Sequence, residues 1–484
     1  MTLSRIGVTF ISCCLFLGLE RVSAISQNTS PVIFVPGDGG SQMDAKLNKT
    51  DHIRYICSYQ SDWFDIWLNL RLLLPVEIDC FIDNMKLSYN ETTHQAENTP
   101  GVTVRPHNFG SLDSVDYLDN ARLHGTDYFS SIINEIESYN NYKRNVNMVG
   151  APYDFRLAPN QLSEFFANLT QLIEQTFYNN HEQRVTLICH SMGCLNSVYL
   201  LNNRPREWKD KFVRRIITIA APWAGSVKAL NAMMFGDNLG VFLLSSVKLH
   251  IAQRTLPSLT YLFPVAPVFA NDRVLIESSD KNYTLLDMKK FFTDINHPHG
   301  YMMWQDTKVY TENLRAPDVE MWCLYGLGIP TISKLKFNGT LPDSEHIEIM
   351  GDGDGTVNLE SLRACQKWDA EQTYGVYHHE FPVFERQSIF VRMADGVNKQ
   401  FEKAAEDLKK LKSRPVDEEL LEVYALYKQA TVGDCEIPKP GIIAFKEKAK
   451  WESWNKKKGM DQEEAKLSYI HRVNTLIETY GINE

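Results

Sequence analysis

The stretch RVTLICHSMGCLNSVYLLNN, residues 184 to 203, constrains the fold more than any other part of the chain. VTLI reads as a short buried strand, and CLNSVYLLNN reads as a helix. Between them the chain has room only for an abrupt turn, with Ser191 at its apex. A serine there sits on strained backbone with its hydroxyl above the sheet, the arrangement of a nucleophile elbow. Small residues are needed beside it because the turn brings backbone segments close together. Cys189 stands where the first glycine of G-x-S-x-G is usual. HSMG by itself also fits an ordinary serine at a helix N-terminus, so the surroundings have to decide.

The surroundings repeat one design. SPVIFVPGDGG (30 to 40), RRIITIAAPWAGS (214 to 226) and VEMWCLYGLGIPT (319 to 331) are each an apolar strand ending in a loop, and so is the run before GDGDGTVN (351 to 358). Apolar strands alternating with helical stretches imply an α/β fold with a mostly parallel sheet covered on both faces. Residues from about 225 to 310 are expected to form a cap. The VPGDGG loop lies where such folds supply one oxyanion-hole amide, and Met192 supplies the other. An aspartate of GDGDGTVN can hold an imidazole in its productive tautomer. Asp354 is the first choice and Asp352 the second, although Gly/Asp runs also make plain tight turns. The remaining ligand positions of an EF-hand do not follow, and no metal site is expected.

At 484 residues the chain is long enough for two domains, and its net charge of −10, with no long basic run, argues against a nucleic-acid partner. MTLSRIGVTFISCCLFLGLERVSA (1 to 24) has the basic start, short apolar run and small-residue end of a secretory signal peptide. Removing it takes Cys13 and Cys14 and leaves seven of the nine cysteines, in a compartment where disulfides form. Asn-x-Ser/Thr sites at Asn28, Asn48, Asn90, Asn168, Asn282 and Asn338 all lie upstream of residue 393.

PVIFVPGD, IWLNLRLLLPVEIDC, GAPYDFRLAP, CHSMG, AAPWAGS and GDGDGTVNLES, in this order over residues 30 to about 382, resemble the lecithin:cholesterol acyltransferase family, especially its group XV (lysosomal) phospholipase A2 branch. The resemblance implies an α/β-hydrolase domain over 30–385. It implies Ser191 as nucleophile, Asp354 as the acid of a triad, and backbone amides of Asp38 and Met192 as the oxyanion hole. It also implies Cys57–Cys80 and Cys323–Cys365 disulfides, a phospholipid substrate at a membrane surface, and a lysosomal or extracellular location. Independently of family, Trp63, Phe64, Ile66, Trp67, Leu68, Leu70 and Leu72 to Leu74 crowd into the Cys57–Cys80 segment and suit a bilayer interface. The alternative is that they pack on the core.

The family's triad histidine falls, without gaps from Asp354, on Arg386. A guanidinium stays protonated and cannot act as general base. His378 and His379 lie in VYHHEF, read as the last strand with one imidazole in its packing; His346 precedes Asp354; His471 is the only later histidine.

His471 belongs to a second region, four amphipathic helices punctuated by RP, GD and KPG. FEKAAEDLKKLKSRPVDEELLEVYALYKQATVGD and KEKAKWESWNKKKG, within 393–484, resemble acyl-CoA-binding protein. The resemblance implies a four-helix bundle with long-chain acyl-CoA as ligand, no cofactor, and contacts from Lys409, Tyr424, Lys428, Lys450 and Tyr469. Tyr424 and Lys428, four apart on a helix, share a face, and Lys450 neighbours Trp451 and Trp454. Ammonium groups near aromatic rings suit phosphates and an adenine ring. Two other readings stand beside an enzyme: a non-catalytic acyl-CoA/lipid-binding protein, or a chimeric gene model of two separate proteins.

Overall fold

Runs such as VIFV, with no polar residue on either face, are stable only in a sheet covered on both sides. The computed structural model places them so. It describes residues 29–382 and 401–482, except 52, 74–76, 123–125, 140, 239–245, 402, 438, 440–444 and 461; for residues 418, 445, 446, 463, 464, 467, 471, 474 and 478 it describes the backbone alone. The leader expected at 1–24, Arg386 and the His471 side chain lie outside the described residues. The chain divides into two compact units, one ending at Val383 and the other beginning at Phe384.

The first unit is built on six strands: β1 (Val32–Val35), β2 (Met148–Gly150), β3 (Val185–His190), β4 (Val213–Ile219), β5 (Glu320–Leu327) and β6 (Val376–Pro382). Their spatial order is β6-β5-β4-β3-β1-β2, and every neighbouring pair is parallel. All residues of β1 and β3 are buried. The helix α1 (Ser163–Asn179) covers part of the sheet with Phe165, Phe166, Leu169, Ile173 and Phe177 on one face. The helix α2 (Met192–Asn202) is buried almost all round, as its mixed apolar sequence requires. The chain runs outward from β1 to β2, then crosses back to β3 and continues the other way. The crevice beyond the carboxyl ends of β1 and β3 is therefore a topological switch point, where open α/β sheets hold ligands.

Two excursions leave this sheet. Between β1 and β2, strands Met43–Asn48, Gln60–Trp67 and Val102–Pro106 pair antiparallel. The Cys57–Cys80 disulfide closes part of this region, with Cα atoms 5.4 Å apart. Between β4 and β5, helices Val227–Phe235, Ser246–Gln253, Pro257–Tyr261, Met288–Asp294 and Pro298–Glu312 fill the region expected as a cap. The strand before GDGDGTVN, His346–Gly351, belongs to a separate four-stranded sheet rather than to the main one. Asp354 nevertheless returns to the main sheet, bridging to Ile329 just past the end of β5.

The expected Cys323–Cys365 disulfide is not formed; both are buried free thiols. Cys365 Sγ instead donates to the Leu362 carbonyl at 3.6 Å, and Cys323 is buried on β5. Burial raises the Cys323 thiol well above its usual range. A disulfide the sequence reading did not anticipate joins Cys189 to Cys194 across the turn.

In the second unit, helical residues 403–407 and the turn Leu408–Lys410 precede three helices: α3 (Asp417–Val432), α4 (Phe445–Asn455) and α5 (Gln462–Tyr480). Gly433, at φ 90°, ends α3 in a conformation that side chains resist. Val423, Leu426 and Ala430 of α3 meet Ala465, Tyr469, Val473 and Leu476 of α5, each set at helical spacing, and the two stripes form the core.

Candidate functional site

Ser191 holds φ 50° and ψ −127°, a conformation that costs an L-residue free energy and persists only where its surroundings enforce it. Its amide donates to the Ile219 carbonyl at 2.9 Å, at the end of β4, and its carbonyl accepts from Cys194. Two glycines make the turn possible. A Cβ on Gly193 would lie 2.1 Å from the Pro36 carbonyl oxygen, and one on Gly37 would lie 2.7 Å from Ser191 Cβ. The β1 loop and the elbow thus touch backbone to backbone.

That contact is held by residues sequence reasoning missed. Tyr128 is fully buried, and its hydroxyl accepts from the Gly37 amide at 2.8 Å and donates to His190 Nδ1 at 2.5 Å. The donation assigns the ring proton of His190 to Nε2. Burial lowers the His190 imidazole to about 3, so it is neutral and acts as a strut. On the other side, the Trp67 indole donates to the Gly39 carbonyl at 2.8 Å. With Gly37 engaged, Asp38 carries the next amide of the loop. Among the described residues neither the Asp38 amide nor the Met192 amide at the start of α2 has a hydrogen-bond acceptor. Burial pushes the Asp38 carboxyl up to about 7.

The Asp354 carboxylate accepts from Thr356 N at 2.9 Å and Val357 N at 2.7 Å through one oxygen. Its burial raises the carboxyl pKa against these hydrogen bonds. Asp352 instead closes the turn, accepting from Gly328 N and Gly353 N, both at 2.7 Å. The same segment braces the loop after β4. Asn358 Oδ1 accepts from Val227 N at 3.0 Å, and Ser361 Oγ accepts from Ala224 N at 2.9 Å. Ser191 and Asp354 therefore sit at the same carboxyl edge of the sheet, on loops tied to β4 and β5.

Among the described residues no imidazole hydrogen-bonds the Ser191 hydroxyl. His346 stacks on Phe235 with ring centres 4.1 Å apart. His378 and His379 pair with Cys323 and Leu324 on the edge strand β6, and both are exposed, so neither imidazole is packed into the sheet as expected. Successive side chains of a strand point to opposite faces, so their joint exposure shows that neither face of β6 is covered at these positions.

The lipid-contact segment divides. Ile66, Trp67, Leu68 and Leu73 are buried in the core, which corrects the expectation for these residues: the Trp67 bond to Gly39 and the Leu68 amide bond to the Leu118 carbonyl draw the segment onto the domain, and Leu74 lies outside the described residues. Trp63 stays exposed under the Arg105 guanidinium, 3.9 Å from its ring centre, and Ile53, Tyr55, Ile56 and Tyr59 are exposed nearby in the sequence.

In the second unit, Lys450 Nζ lies 5.0 Å from the Tyr424 ring centre and Lys428 Nζ 4.7 Å from that of Trp454. Both pairs join α3 to α4 and bring Tyr424, Lys428 and Lys450 to one side of these two helices. Tyr469 does not join them on the surface. It is buried between Phe401 and Tyr427, at 4.8 and 5.6 Å, and burial pushes its hydroxyl up to about 12. Lys409 is exposed on the turn before α3.

A parallel sheet whose switch point carries a serine on a strained strand-to-helix turn defines a serine α/β-hydrolase domain, here accompanied by a helical bundle. The chain belongs to the lecithin:cholesterol acyltransferase family, whose model, described as Lecithin:cholesterol acyltransferase, matches residues 63–395. A second model, described as Acyl CoA binding protein, matches residues 398–473. The chain is similar to phosphatidylcholine-sterol acyltransferase of Gallus gallus, 40% identical over 357 residues, covering 73% of this chain and 86% of that protein. It is likewise similar to lysosomal phospholipase A and acyltransferase of Homo sapiens, 39% identical over 353 residues, covering 73% and 85%. The crystal structure of Oryza sativa acyl-CoA-binding protein 2 is 39% identical and covers 18% of this chain and 96% of that one, with a TM-score of 0.18. The chimeric alternative is not favoured over a chain with two domains.

Proposed function

We propose that residues 30–385 form a phospholipid acyl hydrolase/O-acyltransferase domain of the secretory pathway, and that residues 393–484 hold a long-chain acyl-CoA. Ser191 attacks the acyl ester, the amides of Asp38 and Met192 receive the oxyanion, and Asp354 is the acid of the triad. The observation that carries this reading is the Ser191 backbone at φ 50°, wedged between Gly37 and Gly193. The exposed Ile53, Tyr55, Tyr59 and Trp63 supply the contact with a phospholipid surface. Signal-peptide pattern, sequons and the Cys57–Cys80 disulfide support a glycosylated protein of the lysosome or the extracellular space.

Arg386 stands at the position of the base, so the serine is not activated and phospholipid turnover is slow. Loss of the base in a serine triad lowers turnover on the order of a millionfold. Acyl-CoA binding is then the dominant activity, with Lys409, Tyr424, Lys428 and Lys450 as contacts and Tyr469 supporting them from the bundle core. The test compares the unmutated chain with Ser191→Ala on phosphatidylcholine vesicles at acidic and neutral pH, alongside calorimetric titration with palmitoyl-CoA. Tight, Ser191-independent acyl-CoA binding with little turnover is expected. Substantial Ser191-dependent turnover would show that another base serves, with His379 the first to mutate. Absence of palmitoyl-CoA binding would sink the reading of the second domain.

A further inference from the structure

One stripe along α1, beside its buried face, is made of amides. Asn168, Gln171, Gln175 and Asn179 follow at spacings of three, four and four, which aligns them as one stripe. With Asn108 and Phe109 opposite, they line a cleft of about 650 Å³, within the roughly 300–1,000 Å³ that small-ligand sites occupy. No lining residue of this cleft carries a charge, in a chain where 23% of residues do. Amides offer both donors and acceptors and no net charge, which matches a neutral polyhydroxylated ligand. Phe109 is 37% exposed and meets Phe165 edge-on, so part of its ring is open to solvent as a platform for the C–H face of a pyranose. On the wall of the same cleft, Asn168-Leu169-Thr170 is an N-glycosylation sequon.

We propose that Asn168 carries an N-linked glycan whose first sugars seat in this cleft, against Phe109 and the amides of α1. The bond forms between Asn168 Nδ2, which loses a proton, and the anomeric carbon of an oligosaccharide donor carried on a lipid pyrophosphate, which leaves. The proposal rests on entry into the secretory pathway.

The test expresses the full chain in a secretory eukaryotic host and maps all six sequons by glycopeptide mass spectrometry. It then follows release of each glycan by an amidase from native protein. The Asn168 site should be occupied and its glycan released at least tenfold more slowly from native than from denatured protein. Phe109→Ala, or Gln171→Ala with Gln175→Ala should folding suffer, should accelerate release at Asn168 alone. Occupancy elsewhere with Asn168 bare overturns the proposal; bare asparagine at every sequon overturns secretory entry and the proposal with it. Equal release rates in all variants overturn the seat.

Discussion

The Tyr128 hydroxyl, 2.5 Å from His190 Nδ1, joins two loops that the sequence places far apart: the Gly37 turn after β1 and the residue before the nucleophile. It is the side-chain bridge across the switch-point crevice, and it fixes the amide of Asp38 relative to Met192. Removing it leaves a buried N–H and a buried imidazole nitrogen without partners. Tyr128→Phe should therefore destabilise the hydrolase domain by about 1–3 kcal/mol, read as a lowered denaturation midpoint. A variant as stable as the parent would show that the hydroxyl bridges nothing that matters.

Gly193→Ala tests the elbow itself. Its Cβ would fall 2.1 Å from the Pro36 carbonyl oxygen, and backbone cannot yield as a flexible side chain can. At Gly326 a Cβ would meet Asp354 Cβ at 3.5 Å and the Phe381 carbonyl oxygen at 4.0 Å, both ordinary contacts. Gly193→Ala should cost at least the ~1–3 kcal/mol of overpacked cores, whereas Gly326→Ala should be nearly neutral in the same thermal melt. Similar losses at both sites would contradict the wedge.

The elbow was legible because every constraint on it is local: an apolar strand, small residues and a helix in consecutive positions. GDGDGTVN was legible as a strand-ending loop for the same reason, although its strand belongs to a second sheet, which no local pattern distinguishes. Tyr128 was not legible, because a single tyrosine 62 residues from His190 leaves no periodic signal. Trp67 was misread because an aromatic run on a closed loop has the same composition whether it faces lipid or, as here, supports Gly39. The Cys189–Cys194 pair had a readable cue: residues flanking a sharp turn at i and i+5 lie close in space. Cys323 and Cys365 show the limit of a resemblance, since burial brings two thiols together without requiring that they bond.

Asp65 makes its own contribution to the pH dependence of the hydrolase domain, opposite in sign to that of the buried His190. Burial, with Asp119 and Asp44 close by, raises the Asp65 carboxyl from 3.8 to about 7. Between those values the folded state holds a proton that the unfolded state has released, so stability falls as pH rises through this window. Asp65→Asn stays neutral throughout. It should raise Tm by a few degrees at pH values above 7 and leave it unchanged below 4. An equal shift at both ends would rule out titration of Asp65 as the cause.

Cys57→Ser with Cys80→Ser should destabilise the first unit by about 2–4 kcal/mol, as expected for opening a closed loop of intermediate length. Their Cα separation of 5.4 Å lies in the unstrained range for a disulfide, so no relief of strain offsets the loss. Differential scanning calorimetry resolves it, because the transition of the helical bundle should not move. A bundle transition that shifted equally would mean the two units unfold together.

The acyl-CoA face makes the sharpest demand. Lys450 and Lys428 each rest over a ring contributed by the other helix, Tyr424 and Trp454, so the cations are positioned before any ligand arrives. Phosphate oxygens would meet ammonium groups that need little ordering, and charge-assisted hydrogen bonds of this kind contribute about 1.5–3 kcal/mol. Lys450→Ala should weaken palmitoyl-CoA binding at least tenfold and flatten its dependence on salt, since one ion pair is lost. Lys428→Ala should do the same and also alter the Trp454 fluorescence response. Tyr469→Ala should act differently: its ring fills the core beside Phe401 and Tyr427, so bundle stability falls along with affinity. Ser191→Ala should change none of these. Undiminished affinity in both lysine variants, with the bundle intact by circular dichroism, would mean that the phosphates bind elsewhere and that the α3–α4 face is only a cross-braced surface.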